Sequence, residues 1–312
     1  MPKYQNILFV STGVADETEA LKQALSLARN HAAQLTVMVV HPAFPAHLAA
    51  YEEKYEQNLQ NEMQATLQQV AQDVDADLEA MAPTVVTEQK SKPAIAIIKY
   101  ALKHAVDLVV KQAETKESGQ GFKALDMALL RKCPCPVWLC RPIAHHREDI
   151  KIAVAVEADS EREEGRDLSL QLLKTADMLA QDCGQTLEVV SCWSYELEAS
   201  LRDSRWLAVP PEELEEQVEA ARTHSLTALE DLMDQAELTA AASVHHLKGA
   251  PDTLIPQFIE EHGIDVLVMG TVARTGLPGF VIGNTAENVL QKVGCSLVAL
   301  KPHGFVSPVV AY

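Results

Sequence analysis

The sequence predicts an α/β protein made of two tandem doubly wound domains, each with a mainly parallel sheet. Apolar runs typical of buried strands alternate with stretches of helical periodicity along the 312 residues. The order of strands and helices in the second half repeats the order in the first. The length suits two domains of about 150 residues, each large enough to bury a core.

The first half begins with an apolar strand at 6–11, followed by an amphipathic helix at 20–31. Pro93 suits the first turn of a later helix, because its ring fixes a helical φ and that position needs no N–H. The elements that follow the first helix are a strand at 34–40, a long polar helix at about 48–74, a strand at 84–87, a helix at 94–104, a strand at 107–110, a short helix at 123–131 and a strand at 136–140.

The second half repeats this order. Its predicted elements are a strand at 151–156, a helix at 165–181, a strand at 186–191, an acidic helix at 211–236, a strand at 242–246, a helix that opens at 249, a strand at 265–269, a helix that begins near 283 and a strand at 296–300. Parallel strands joined by helices are connected by right-handed crossovers, so we expect that handedness throughout.

The repeat can be checked by residue number. Asp107-Leu-Val-Val matches Asp265-Val-Leu-Val at an offset of 158, whereas residues 132–142 match residues 292–302 at an offset of 160. The first half therefore lacks two residues in the loop between these segments.

In doubly wound parallel sheets ligands bind at the carboxyl ends of the strands. In the first half this edge contains Thr12, His41 and residues 111–122.

The net charge of −18 is concentrated in the second half. Residues 1–147 carry 15 basic and 16 acidic side chains, and residues 148–312 carry 11 and 28. So acidic a half argues against nucleic-acid binding, which needs clustered cations. The chain contains no run of 18 apolar residues and does not begin with a leader pattern, so we expect a soluble cytoplasmic protein without membrane association.

Cysteines and histidines offer a metal hypothesis that the spacing does not favour. The six cysteines are Cys133, Cys135, Cys140, Cys183, Cys192 and Cys295, and most lie in or beside apolar strands, which predicts core packing. No Cys-x2-Cys pairs occur at zinc spacing. Neighbouring residues on a strand point to opposite faces, so His145-His146 and His245-His246 each split their side chains. No Ser/His/Asp or Gly-x-Ser-x-Gly signature is present, and we predict no strong catalyst.

A glycine-rich stretch from Met269 to Glu287 is the best candidate binding site. It follows an apolar strand and enters a helix, where backbone N–H groups are available to an anion. Gly270 and Gly283 permit positive φ and close approach of a ligand, and Asn284 or the residue after it can cap the helix. The alternative interpretation is a strand-to-helix turn without a ligand.

The stretch resembles the phosphate loop of the universal stress protein family, Gly-x2-Gly-x9-Gly-(Ser/Thr/Asn). Gly270, Gly283 and Asn284 match this pattern with the nine-residue spacer intact, while Ala273 replaces the second glycine. The whole chain resembles a tandem, E-type member of the family. The resemblance implies a five-stranded parallel sheet in each domain (1–145 and 148–303, with a tail at 304–312) and pairing of the last strands, 137–140 and 297–300, as an internal pseudo-dimer.

The resemblance also implies an ATP site, with or without Mg²⁺, in the second half. Glu157 matches the acid on the adenosine side, and Arg274 is either a phosphate contact or a solvated cation. The predicted site residues are Val156, Glu157, Ser191, Met269, Gly270, Ala273, Arg274, Gly283, Asn284 and Thr285. In the first half Thr12 takes the place of the acid, and Gln112, Thr115 and Lys123 replace the glycines. We therefore predict no ATP site of the usual kind there.

Three functions remain open from the sequence. The first is a stress-response regulatory protein that binds ATP or a related nucleotide, with at most slow ATP hydrolysis because a Walker Lys-Ser/Thr is lacking. The second is a scaffolding or apolar-ligand-binding protein with vestigial sites, in which the aromatic segment 193–211 covers a pocket or packs on the sheet. The third is an enzyme or metal protein. The apolar tail at 305–312 is expected to dock on the body or on a second copy, so homo-oligomers are a further possibility.

Overall fold

A computed structural model describes residues 4–13, 16–89, 92–114, 116–117, 119–143, 145, 147–160, 162–202, 209–271 and 282–310. The first half contains β1 (Asn6–Ser11), α1 (Thr18–His31), β2 (Gln34–His41), α2 (Glu52–Asp73), α3 (Leu78–Met81), β3 (Thr84–Gln89), α4 (Pro93–Lys103), β4 (Leu108–Gln112), α5 (Ala124–Lys132) and β5 (Val137–Cys140). The second half contains β6 (Ile152–Val156), α6 (Glu163–Cys183), β7 (Leu187–Trp193), α7 (Glu198–Arg202), α8 (Pro211–Ala236), β8 (Ala242–Lys248), α9 (Pro251–His262), β9 (Val266–Gly270), α10 (Asn284–Lys292) and β10 (Ser296–Leu300).

The strands form one continuous 10-stranded sheet with the order β3-β2-β1-β4-β5-β10-β9-β6-β7-β8. Within each half every neighbouring pair is parallel. At the centre β5 and β10 pair antiparallel, with Leu139 opposite Leu297 and Trp138 opposite Val298. The predicted pairing of the two last strands is thus confirmed, and the two halves form an internal pseudo-dimer.

Helices cover both faces of the sheet. Apolar residues of α1, α2, α6 and α8 pack on one face, and those of α4, α5, α9 and α10 pack on the other. Successive strand residues therefore enter different cores: Leu8 packs under α4 and α5, and Phe9 packs under α1 and α2. Burial on both sides explains why the strands read as continuous apolar runs instead of alternating ones.

The aspartate that opens each repeated motif ties two strands together. The carboxylate of Asp107 accepts hydrogen bonds from the backbone N–H groups of Gln5 (2.6 Å) and Asn6 (3.1 Å). The carboxylate of Asp265 accepts one from the N–H of Lys151 at 2.9 Å. Both aspartates thereby satisfy backbone donors where the first strand of the half begins, so the repeated residue has a structural role at the amino edge.

Several element boundaries differ from the sequence prediction, and the short helices α3 and α7 were not predicted. The expected helix at about 48–74 begins as a 3-10 turn at Ala46–Tyr51, and α2 starts at Glu52. Strands β7 and β8 pair over a longer stretch than expected, because Trp193 pairs with Lys248 beyond the predicted end of β7. Among the described helices none is long and apolar enough to span a bilayer.

Candidate functional site

The carboxyl ends of β6, β7 and β9 meet at one edge of the second half. The register places Val156 opposite Ser191 and Ala155 opposite Met269, so Gly270 follows at the same level. The strand order changes direction between β6 and β9, which makes this edge the topological switch point. The structure therefore brings together the predicted site residues of three separate strands.

Glu157 is the first residue after β6, and its side chain is exposed. Its backbone carbonyl accepts a hydrogen bond from Ser169 Oγ of α6 at 2.9 Å, which fixes the chain where the strand ends. Its carboxylate forms no hydrogen bond or ion pair with the described part of the chain. The acid is thus held by its backbone and remains available to a ligand.

Ser191 carries a buried hydroxyl that has no protein partner among the described residues. The residue is 1% exposed, and its Oγ makes no hydrogen bond to any part of the described chain. Its strand neighbour His246 is satisfied, since it stacks on Trp193 at 5.7 Å between ring centroids and contacts Ser225 Oγ at 3.1 Å. An unsatisfied buried hydroxyl costs about 1–3 kcal/mol, so Ser191 is a polar group that a bound molecule can satisfy.

Two of the glycines act differently from the expectation that they adopt positive φ. A Cβ added at Gly270 would lie 2.9 Å from Leu168 Cδ2, so a larger residue there would require the Leu168 side chain of α6 to shift. Gly283 has a φ of −59°, outside the left-handed region. Neither Gly270 nor Gly283 therefore adopts the left-handed backbone that favours glycine.

Gly283 is the N-cap of α10, and no side chain of the described residues caps this helix. The prediction that Asn284 or Thr285 caps it is wrong, because both are already helical and exposed. The helix start is anchored by the N–H of Gly283, which donates to Thr271 O at 3.3 Å. The first-turn N–H groups of α10 thus lack intrahelical acceptors and point to where an anion is favoured. The predicted contacts Ala273 and Arg274 lie outside the described residues.

The corresponding edge of the first half is closed by an ion pair. Lys111, at the end of β4, is 1% exposed, and its Nζ lies 2.9 Å from Asp126 Oδ1 in the first turn of α5. The other oxygen of Asp126 accepts a hydrogen bond from the N–H of Glu114 at 2.7 Å. Burial raises the pKa of Asp126, and the charge of Lys111 opposes that rise. The pair joins strand to helix across the loop in which the second half has its glycines.

The other two strand ends of the first half are also satisfied internally. Thr12 donates through its N–H and Oγ1 to Glu17 Oε1 at 3.1 and 3.2 Å. His41 Nε2 lies 3.2 Å from Glu56 Oε1. Of the residues predicted to replace the glycines, Lys123 is the exposed N-cap of α5 and Gln112 ends β4, while Thr115 lies outside the described residues.

The carboxylates that close this edge were not predicted from the sequence. Glu17 and Asp126 belong to helix starts, where acids are common because they favour the helix dipole, so their sequence context does not distinguish them. Asp126 is, however, fully buried, and only the fold shows that it faces Lys111. A lysine inside an otherwise apolar strand was the one available signal, since such a residue needs a partner.

The histidine pair on β8 splits across the sheet as predicted. His245 Nε2 lies 2.6 Å from Glu188 Oε2, and the His245 ring packs against Phe258 of α9. His246 faces α8 on the opposite side. Within the described ranges no cluster of three His, Cys, Asp or Glu side chains is arranged to hold a metal ion. His146 lies outside those ranges.

The aromatic segment after β7 is partly described. Trp193 is 7% exposed and packs on the sheet, whereas Leu197 is 54% exposed. The predicted packing of Trp193 is correct. Residues 203–208 lie outside the described part of the chain, so the alternative that this segment covers a pocket stays a prediction.

Comparison with known proteins agrees with the tandem architecture. The sequence profile of the universal stress protein family matches residues 3–141 and again residues 151–301. The chain belongs to the universal stress protein family. Universal stress protein E of Photorhabdus laumondii is 31% identical over 225 residues, which cover 71% of this chain and 69% of that protein. Universal stress protein E of Escherichia coli strain K12 is 31% identical over 223 residues, with coverages of 70% and 68%.

Solved structures share the fold over nearly the whole chain. A putative universal stress protein from Pseudomonas aeruginosa UCBPP-PA14 aligns with a TM-score of 0.66 and 24% identity, covering 96% of this chain and 94% of its own. A functionally unknown protein from Pseudomonas aeruginosa PAO1 aligns with a TM-score of 0.66 and 25% identity, with coverages of 96% and 93%. The fold of this chain is therefore also found over nearly the whole length of solved proteins.

Proposed function

We propose that this universal stress protein is a stress-response regulatory protein whose second half binds ATP or a related nucleotide. The observation that carries the proposal is the contrast between the two carboxyl edges. In the first half local carboxylates pair with Lys111, Thr12 and His41 at the strand ends, and Gln112 Oε1 is the buried atom there without a partner in the described chain. In the second half the buried hydroxyl of Ser191 has no such partner among the described residues, and the start of α10, like that of α5, has no side-chain cap.

Different parts of the proposed nucleotide contact different groups at this edge. The phosphates lie at the N-terminus of α10, where the first-turn N–H groups and the helix dipole stabilise negative charge. The exposed carboxylate of Glu157 accepts hydrogen bonds from a ribose, and Ser191 of β7 lies on the side of β6 opposite the phosphates. The residues proposed to contact the nucleotide are Val156, Glu157, Ser191, Met269, Gly270, Ala273, Arg274, Gly283, Asn284 and Thr285.

The charge of the second half favours a metal-bound nucleotide. Residues 148–312 carry 28 acidic against 11 basic side chains, so a bare triphosphate is repelled at long range. Mg²⁺ neutralises part of the phosphate charge before binding. We propose Mg²⁺–ATP as the bound form, with Arg274 as the local cation.

The support for a nucleotide comes from this chain's own residues. One solved universal stress protein is in complex with cAMP, but it aligns with 49% of this chain at a TM-score of 0.33. That likeness carries no weight for the ligand here.

Isothermal titration of the full chain with ATP and Mg²⁺ tests the proposal. We expect one site per chain, weaker binding of AMP because it has fewer phosphates, and a loss of affinity of about tenfold in Glu157→Ala, corresponding to about 1.4 kcal/mol. Glu163→Ala, an exposed acid at the start of α6, is the matched control and should bind as the parent does. No heat at millimolar nucleotide would reject the proposal.

A second candidate function is the binding of a small apolar molecule, and a groove between the halves favours it. This seam groove, formed by α1, α6, Trp138, Ile143 and Ile150, has a volume of about 490 Å³. The Nε1 of Trp138 is buried and has no hydrogen-bond partner in the described ranges. Ligand pockets of this size are mostly apolar with a few polar groups that orient the ligand.

Native mass spectrometry of the purified chain distinguishes this candidate. A co-purified small molecule is expected if the seam groove is a binding site. Ser26, a half-buried residue that lines the groove, offers a pair of variants: Ser26→Trp should expel the molecule by filling the space, and Ser26→Ala should retain it. A bare protein mass for the parent chain would remove this candidate.

A further inference from the structure

Two cysteines lie in contact where the halves meet, beside the end of β10 that pairs with Gly270. Cys133 is the C-cap of α5, and Cys135 lies two residues before Val137, the first residue of β5. Their Sγ atoms are 3.6 Å apart. Both residues are buried, with exposures of 0% and 8%, and both thiols are free.

The backbone between the two thiols is already bent. Pro134 separates them and fixes its own φ, and the chain bends at Pro134 and Cys135. A disulfide requires an S–S distance of about 2.05 Å. Side-chain rotation therefore has to bring the sulfurs about 1.5 Å closer than they are now.

A buried lysine lies beside the thiols. Lys301 directly follows β10, which runs antiparallel to β5, so it reaches the start of β5 from the other half. It is 7% exposed, and its Nζ has no hydrogen-bond partner in the part of the chain that the structure describes. Its aromatic contact is Phe305, with Nζ 5.0 Å from the ring centroid. A buried ammonium without a counter-ion is costly, and a thiolate would serve as one.

The electrostatics of the three side chains agree with this geometry. The hydrogen bond with Cys135 lowers the pKa of Cys133, burial opposes this, and the charge of Lys301 lowers it further. The same hydrogen bond raises the pKa of Cys135. Burial lowers the pKa of Lys301, and the two thiols oppose that shift. The hydrogen bond between the thiols and the nearby charge of Lys301 therefore favour a thiolate within the pair.

The mirror position in the other half provides a built-in comparison. Arg141 corresponds to Lys301 and Cys295 to Cys135 at the offset of 160, but Val293 replaces Cys133. The guanidinium of Arg141 donates to the carbonyls of Gly119 and Gly121, so its charge is partly satisfied. Burial raises the pKa of Cys295 to about 12. The side of the β5–β10 pair that carries a second thiol, Cys133, is thus also the side on which the cation, Lys301, has no partner within the described chain.

We propose that Cys133 and Cys135 form a redox-active dithiol site that reacts with hydroperoxides. The Cys133 thiolate attacks one oxygen of the peroxide, the O–O bond breaks, and Cys133 becomes a sulfenic acid while hydroxide leaves. The Cys135 thiol then attacks the Cys133 sulfur, the S–S bond forms, and the sulfenic hydroxyl leaves as water after taking the thiol proton. Two thiols lose two electrons in total, and with hydrogen peroxide the products are one disulfide and two waters.

The C-terminal segment controls access to the site. Ser307 Oγ donates to Lys132 O at 2.7 Å, and Val309 packs on the core that contains both cysteines. The segment is otherwise open, since Val306 is 71% exposed and Val310 is 69% exposed. Terminal segments with few contacts open locally, so a small oxidant reaches the thiols without global unfolding.

The test is hydrogen peroxide treatment of the full chain, followed by alkylation of free thiols and peptide mass analysis with fragmentation. The parent is expected to form a Cys133–Cys135 disulfide, lose two hydrogens in mass, and recover both thiols with dithiothreitol. Cys133→Val copies Val293 of the other half and should form no intramolecular disulfide. Cys295→Ser, which removes the mirror thiol, should behave as the parent does. Retention of both thiols in the parent, at the same rate as Cys295 is retained, would overturn the proposal.

Lys301 is tested separately as a positioning residue. Lys301→Met should slow the loss of the Cys133 thiol at least fivefold, because the thiolate loses its buried counter-ion. Lys301→Arg keeps the charge, copies Arg141 of the other half, and should restore most of the rate. Equal rates in all three proteins, with unchanged melting temperatures, would contradict the role assigned to Lys301.

Discussion

The two halves of the chain have the same strand order, but the polar groups at their carboxyl edges are paired differently. In the first half Lys111 and Asp126 form a buried ion pair between β4 and α5, and Glu17 closes the end of β1. In the second half Met269 and Ala286 stand where the ion pair would be, and the hydroxyl of Ser191 has no partner in the described residues. One copy of the duplicated fold thus pairs Lys111 and Thr12 with its own carboxylates. The other copy leaves the hydroxyl of Ser191 available to a ligand.

The largest effect is expected from breaking the ion pair of the first half. Lys111→Met leaves the Asp126 carboxylate buried without its cation and should lower the free energy of unfolding by about 3–5 kcal/mol. The double variant Lys111→Met with Asp126→Ala copies the second half and should regain most of this loss. Urea denaturation measures both, and a double variant as unstable as the single one would show that the charge pair is not what closes this edge.

The next effect distinguishes the starts of α5 and α10. Asn284→Asp places a carboxylate at the first position of α10, where it should weaken ATP binding about tenfold, or 1.4 kcal/mol, by repelling phosphate. Ala124→Asp makes the same change at the equivalent, exposed position of α5. Titration calorimetry should give the parent affinity for Ala124→Asp. Equal losses of ATP affinity in both variants would mean that the nucleotide binds elsewhere or that the loss reflects only the change in net charge.

A smaller gain is expected at the position where the loop departs from its family pattern. Ala273→Gly removes a methyl group and restores the second glycine of Gly-x2-Gly, so ATP should bind several-fold more tightly in titration calorimetry. The preceding residue is a valine, and Val272→Ala supplies the control, because it also shortens a side chain of the loop but restores no glycine. A gain in Val272→Ala equal to that in Ala273→Gly would attribute the effect to general loosening of the loop.

The smallest effect is expected on stability, when two buried serines of the second half are compared. Ser225→Ala removes the hydroxyl that contacts His246 and should cost about 1 kcal/mol. Ser191→Ala removes a hydroxyl that is unpartnered within the described chain, so stability should change by less than about 0.5 kcal/mol or rise. Thermal denaturation without ligand measures both. A loss at Ser191 as large as that at Ser225 would mean that the Ser191 hydroxyl is already satisfied.

The sequence was sufficient for the fold because the signals were local and repeated. Apolar runs placed the strands, and the duplicated Asp107 and Asp265 motifs aligned the halves. The pairing of β5 with β10 came only from the family resemblance, since nothing in either strand specifies its partner. Trp193 extended β7 beyond the predicted end because tertiary pairing with β8, not local pattern, determines where a strand stops.

The candidate site was less predictable than the fold. Ser191 was identified by its position at a strand end, but its missing partner in the described chain depends on helices that are distant in sequence. Asp126 and Glu17 looked like ordinary helix-start acids, and only the folded loop brings them to Lys111 and Thr12. For Cys133 and Cys135 the sequence predicted only core packing, and their contact and the approach of Lys301 from the other half depend on the fold.

A crystal structure of the full chain grown with ATP and Mg²⁺ tests the central claim most directly. We predict one nucleotide per chain, with its phosphates at the N-terminus of α10 and its ribose beside Glu157, and an unchanged Lys111–Asp126 pair in the first half. A nucleotide bound at the first-half edge or in the seam groove, or an empty second-half edge at saturating ATP, would contradict the account.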